Sequence, residues 1–179
     1  MDQYLIAFGS NLGEREHWIR QAIALIEELI GNILKVSQVY ETAPIGPADQ
    51  SFLNGALVCQ SRITSPFAVL EGLLSIEKRL GRIRDTFWGN RTIDLDLIAW
   101  KTGDGKFPLI ETENLSLPHP RCIERDFVMV PVCEIASEWY FARSQQCFSA
   151  YLEKTQIKSI QKKWGSLGSP YNEQNTEKD

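Results

Sequence analysis

Arg91-Thr92-Ile93-Asp94-Leu95-Asp96-Leu97-Ile98 reads as a strand of period two, with Ile93, Leu95 and Leu97 on one face and Asp94 and Asp96 on the other. An apolar face of that kind needs a covering layer, and the chain before it offers two helices and three more strands. Immediately upstream, Ser65 stands in an N-cap position before Pro66. The spacing of Phe67, Leu70, Leu73, Leu74 and Leu80 then predicts a helix that carries them inward and stops at Gly81. Residues 36–42 and 56–63 alternate as strands, and Pro44, Gly46 and Pro47 mark a loop between them. At the start, Tyr4-Leu5-Ile6-Ala7-Phe8 is a buried strand that breaks at Gly9-Ser10-Asn11-Leu12-Gly13. Trp18, Ala22, Ile26 and Leu29, widened by Ile19, Ile23 and Ile30, predict an amphipathic helix over residues 14–30. With the last strand at residues 92–100, the order is strand, helix, strand, strand, helix, strand. This is the α+β class with a ferredoxin-like βαββαβ core on an antiparallel sheet. Residues 121–160 read as mostly helical and able to cover the other side, so helices are expected on both faces. Residues 1–160 are expected to form a single domain. Residues 161–179 are expected to form a flexible C-terminal tail.

Composition narrows the function. Hydrophobic residues make up 43% of the 179, enough for a real core. The net charge of −4 argues against a general nucleic-acid or membrane-surface binder, which makes a local basic cluster more informative. Cys59, Cys122, Cys133 and Cys147 lack CxxC spacing, and with His17 and His119 as the sole histidines a Cys/His zinc site is not expected. Buried free thiols in a reducing compartment are the simpler reading. No signal peptide or membrane-length apolar run is evident, and a cytoplasmic location is expected.

Asp94 and Asp96 carry the chemistry. Their Cα atoms lie about 6–7 Å apart along a strand, too far for one shared proton but suited to two oxygen donors converging on a hard cation. Two anions on one face call for positive charge between them, and magnesium fits. Taken alone, the pair also reads as an exposed acidic strand face. Lys78, Arg79, Arg82, Arg84 and Arg91 surround it with just one acid, Asp85, in a stretch that includes Gly81, Trp88 and Gly89. That stretch predicts a mobile arginine loop feeding a carboxylate strand, suited to closing over polyphosphate. Leu117-Pro118-His119-Pro120-Arg121, with Arg125 and Phe127 beyond, is a second polar cluster in which His119 is as well read structural as functional. No P-loop is present.

Five blocks in this order resemble one known family: residues 7–13; residues 40–46 with Gln50, Phe52, Leu53 and Asn54; Glu77 with residues 80–84; residues 88–96; and residues 117–121 with Arg125 and Phe127. The sequence is similar to hydroxymethyl-dihydropterin pyrophosphokinase, of the folate pathway, over residues 4 to about 136. The resemblance implies transfer of the β,γ-diphosphate of ATP to the pterin hydroxymethyl group, with release of AMP. It implies Asp94 and Asp96 as ligands of two Mg2+ ions, and ATP contacts at Glu77, Arg84, Trp88, Arg91, Ser116, His119 and Arg125. The pterin is implied to stack between Phe52 and Phe127 and to be read by Asn54, with backbone help from Thr42 and Ile45. A flat heterocycle suits aromatic faces and an amide suits its donor and acceptor edge. Arg84, Arg91, Asp94 and Asp96 form the expected catalytic set. They act by positioning and charge neutralisation without a classical general base, the second metal being able to lower the hydroxyl's pKa.

The chain departs from the family's usual pattern at Phe87 and Asn90, where arginine and proline are common, and at Leu74 and Asn114, which face the nucleotide. One phosphate contact fewer and a less stiff loop are expected, and the long connection over residues 101–113 is distinctive. A pterin-binding relative that transfers no phosphate is the main rival, and an RNA-binding sheet the lesser one. ATP and hydroxymethyl-dihydropterin are the expected partners of a monomer that binds neither nucleic acid nor membrane.

Overall fold

The chain's first strand, β1 (Asp2–Ser10), is apolar on both sides and so belongs at the centre of a covered sheet. Tyr4, Ile6 and Phe8 enter one core, and Leu5 and Ala7 the other. The computed structural model describes residues 1–44, 49–82 and 89–167. After β1 come α1 (Arg15–Leu29), β2 (Asn32–Val36), β3 (Val39–Thr42), β4 (Phe52–Ser61), α2 (Pro66–Arg79) and β5 (Asp94–Lys101). Then follow β6 (Ile110–Glu111), β7 (Ser116–Leu117), α3 (Asp126–Ala136), β8 (Tyr140–Phe141), β9 (Gln146–Cys147), α4 (Ser149–Leu152) and β10 (Ile160–Gly165). The main sheet runs β10-β3-β4-β1-β5, with β2 also beside β4, and every pair is antiparallel. Without β10 this is the expected ferredoxin-like order. α1 and α2 cover one face through Ile19, Ile23, Ile26, Val69, Leu73 and Ile76. α3 covers the other through Val128, Met129 and Val132.

Four local expectations change. The strand over residues 36–42 is broken at Ser37 and Gln38, because the buried Ser37 hydroxyl takes a ladder position and accepts from Ala56 N at 2.9 Å. α2 is rotated from the anticipated phase. Val69, Leu73 and Ile76 are fully buried, whereas Phe67 and Leu74 are 41% and 37% exposed. The region over 121–160 holds one real helix, α3, a four-residue α4 and the β8–β9 hairpin. The tail expected from residue 161 begins as a strand instead. β10 pairs with β3, and Lys162 Nζ lies 2.8 Å from Glu41 Oε2. β10 is an edge strand whose faces are mostly exposed, so it carries no apolar alternation to betray it.

All four cysteines are free, with Cys59 and Cys122 buried. Among the described residues no helix is long and apolar enough to cross a membrane. Within the connection over residues 101–113, Phe107 packs against the core on the α3 side of the sheet and meets Trp139 edge-on at 5.5 Å.

Candidate active site

Register builds the floor of the site. Gly9 on β1 lies opposite Asn54 of β4 on one side and Asp94 of β5 on the other, and Ala7 likewise lies between Ala56 and Asp96. Residues in register share a face, so two small residues separate an amide from two carboxylates. Two strand spacings set Asn54 and Asp94 about 10 Å apart. A Cβ on Gly9 would stand 2.4 Å from Asn54 Oδ1 and 3.6 Å from the Phe52 ring. The missing side chain is thus what lets the amide lie across the strand. Asn54 Nδ2 donates to Thr42 Oγ1 at 2.7 Å, and both residues are buried.

The acidic end is organised by the way α2 stops. Gly81 adopts φ +78, its N–H reaches Lys78 O at 3.2 Å, and Arg82 N reaches Glu77 O at 3.1 Å. This double bond pattern closes the helix and turns Arg82 back over its last turn. There Arg82 Nη1 pairs with the Glu77 carboxylate and, at 2.6 Å, with Asp94 Oδ1. Glu77 is 2% exposed and also accepts Leu95 N at 2.8 Å, satisfying a donor on the open edge of β5. From the other side Arg91 Nη1 meets Asp94 Oδ2 at 2.9 Å. Burial pushes the Asp96 carboxyl above the usual carboxylate range and the charge of Asp94 adds to this, while Arg125 pulls it back.

These groups border a cleft of about 430 Å³ lined by Leu70, Leu74, Glu77, Arg82, Asp94, Asp96, residues 112–116 and His119. A bulge in β5 opposite Leu5 and Ile6 releases Ile98 O, which accepts His119 N at 2.8 Å and fixes that loop beside the carboxylates. Burial, then the charges of Arg125 and Arg121, hold the His119 imidazole down at about 4, so near pH 7 it is neutral. Its Nδ1 accepts Arg121 N at 3.3 Å, leaving Nε2 as the donor. Arg125 occupies the position just before α3, and its guanidinium carbon lies 5.6 Å from the centre of the Phe127 ring.

Of the anticipated ATP residues, Glu77, Ser116 and His119 line one cleft together with the expected metal ligands Asp94 and Asp96, and Arg91 is bonded into it. Arg125 is coupled electrostatically to both aspartates. Thr42, Phe52 and Asn54 form a second cluster on β3 and β4, one strand beyond Gly9. Arg84, Trp88 and Ile45 lie outside the described residues. The sequence places Arg82 in the basic cluster without giving it a role, and its position directly after Gly81 is the signal that could have found it. Leu74 and Asn114 do line the cleft. Two carboxylates on one face, one penalised by burial and by the other, suit a divalent cation. Among the described residues no three His, Cys, Asp or Glu side chains form a complete cage. Magnesium would therefore take two protein oxygens here and complete its shell with phosphates and water.

Residues 5–137 match the family model described as 7,8-dihydro-6-hydroxymethylpterin-pyrophosphokinase. A 2-amino-4-hydroxy-6-hydroxymethyldihydropteridine pyrophosphokinase of Bacillus subtilis is 44% identical over 135 residues, covering 74% of this chain and 77% of the relative. One from Synechocystis is 32% identical over 157 residues, 87% of this chain and 77% of the relative. Among solved structures, an HPPK-DHPS in complex with substrates superposes with a TM-score of 0.66 at 15% identity, which is likeness of fold. That match covers 86% of this chain and 43% of the longer HPPK-DHPS chain.

Proposed function

The chain belongs to the 7,8-dihydro-6-hydroxymethylpterin-pyrophosphokinase family, and from that membership we propose how its own residues divide the work. It is an ATP-dependent diphosphotransferase of folate biosynthesis that moves diphosphate from ATP to the hydroxymethyl group of 6-hydroxymethyl-7,8-dihydropterin and releases AMP. The observation that carries the division is the row Asn54–Gly9–Asp94, which sets an amide and a carboxylate about 10 Å apart across a side-chain-free floor. The pterin lies at the Asn54 end between Phe52 and Phe127. Asn54, held by Thr42, reads its edge, and Ile45 adds a backbone contact. ATP occupies the cleft, with its base against Leu70 and Leu74 and its phosphates toward Asp94, Asp96, Arg82 and Arg91.

Asp94 and Asp96 would hold two Mg2+ ions. When bound, they supply charge neutralisation at the phosphates and lower the pKa of the attacking hydroxyl. Arg82 and Arg91, which here grip Asp94, release it to take phosphate oxygens, where planar donors match the geometry of the transferred group. Neutral His119 donates Nε2–H to a phosphate oxygen, and Ser116, Glu77, Arg84, Trp88 and Arg125 complete the ATP contacts. Asp94, Asp96 and the arginines act by orientation and electrostatics, with no covalent intermediate on the protein. The enzyme works as a cytoplasmic monomer and uses no nucleic acid.

The test is AMP release from ATP and reduced hydroxymethylpterin. Asp94→Asn and Asp96→Asn should each lower turnover by roughly a hundredfold or more while far-UV circular dichroism stays unchanged. Near-normal turnover by either variant in saturating magnesium would overturn the two-carboxylate assignment.

A further inference from the structure

Asn11, fully buried just beyond β1, bonds two loops at once. Its backbone N–H donates to Arg91 O at 3.2 Å and its Oδ1 accepts Arg91 N at 2.7 Å. Its Nδ2 donates to Asn90 Oδ1 at 2.8 Å and to Gln50 O at 3.3 Å. Asn90 then continues the chain of bonds, because its own Nδ2 donates to Asp49 Oδ1 at 2.7 Å. The segment over residues 49–51 is itself anchored, since Arg15 Nη1 donates to both Ser51 O and Ser51 Oγ at 2.8 Å. One of these loops leads into Phe52 and the pterin end, and the other leads into Arg91 and the carboxylates. Within the Asn54–Gly9–Asp94 row the two ends are joined through the backbone ladder of β1 and not by a side chain at Gly9, which has none.

We propose that Asn90 is a positioning residue that ties the pterin-side segment at Asp49 to the ATP-side segment at Arg91, with Asn11 as the buried hub. The inference rests on the assignment of Arg91 to the phosphates made above. Asn90 touches neither substrate. It acts by fixing the backbone from which the Arg91 guanidinium reaches Asp94 and, in the transition state, the transferred group. A residue that sharpens orientation in this way affects the rate more than ground-state affinity.

The amide and carboxylate can be exchanged. In Asn90→Asp two carboxylates face each other and the bond to Asp49 is lost. In the double variant Asn90→Asp with Asp49→Asn, the new amide donates to the new carboxylate, Asn11 Nδ2 keeps its acceptor, and the net charge equals that of the parent. Asn90→Asp should lower kcat about five- to tenfold with both KM values within about twofold, the loss of one orienting hydrogen bond. The double variant should recover kcat to within about twofold, and all forms should melt within a few degrees of each other. An unchanged kcat in Asn90→Asp, or a double variant no better than the single, overturns the proposal. If instead the parent released no AMP, the functional assignment itself would fall, so the two failures are distinct.

Discussion

At His119 the protein has made a residue that usually titrates near neutrality into a neutral donor. Its folded value near 4 lies below the ordinary 6.5 because burial and two arginines oppose a third positive charge. The unfolded chain therefore takes up the proton first as pH falls. The contribution of His119 to stability is constant above about 6.5, declines from there to about 4 and levels off below, for a total on the order of 1–3 kcal/mol. Urea titrations of the parent and His119→Gln between pH 7 and 4 should show a shallower decline in the variant. At Gly9 the prediction concerns binding. In Gly9→Ala the methyl would meet Asn54 Oδ1, the movable end of a side chain, so the fold adapts by turning the amide away from Thr42. Pterin affinity should drop about five- to tenfold by calorimetry while ATP affinity is unchanged, since the loss is one or two hydrogen bonds at one end of the site. Equal losses for both ligands would show that the sheet itself had shifted.

Among the elements, β10 was the least expected. It is held by few apolar contacts and many polar ones. Asp126 at the start of α3 accepts Ser159 N at 2.8 Å, Ser159 Oγ at 2.7 Å and Ile160 N at 3.1 Å. Lys162 and Arg15 converge on Glu41, whose carboxyl is held down at about 2, first by its bond to Lys162 and then by Ser51 and Arg15. Asp126 is 6% exposed, so removing it leaves a buried backbone donor, a part-buried one and a hydroxyl unsatisfied. Asp126→Ala should cost about 2–4 kcal/mol in chemical denaturation. Hydrogen exchange should show the β10–β3 ladder opening first. α2 teaches a related lesson, because its end rather than its body matters to the site. The turn at Gly81 aims Arg82 at Glu77 and Asp94.

For the whole molecule, the same sheet carries both the core and the candidate active site, so ligands bound there should stabilise the fold as a unit. Magnesium-ATP at a hundred times its dissociation constant should add about 2.7 kcal/mol to unfolding in one cooperative transition. Asp94→Asn should abolish most of that gain without lowering the unliganded melting temperature by more than a few degrees. A gain preserved in that variant would place the nucleotide elsewhere than the cleft beside β5.

The sequence by itself determined the strand and helix order of the βαββαβ core, the facing of Asp94 and Asp96 away from Ile93, Leu95 and Leu97, and the family. These rest on local periodicity, caps and spacing, which act over a few residues and are written in plain order along the chain. It also pointed to the two ends of the site through Phe52, Asn54 and the basic stretch before Arg91. Tertiary structure alone decided that Asn54 and Asp94 share a row across Gly9, because register depends on pairing among three strands far apart in sequence. It alone decided that Arg82 closes on Glu77 and Asp94, and that Asn90 bridges Asn11 to Asp49. It also turned residues 161–165, the start of the expected tail, into part of a strand. A polar edge strand is stabilised by hydrogen bonds and ion pairs to partners more than a hundred residues away, and such partners leave no periodic mark in their own segment.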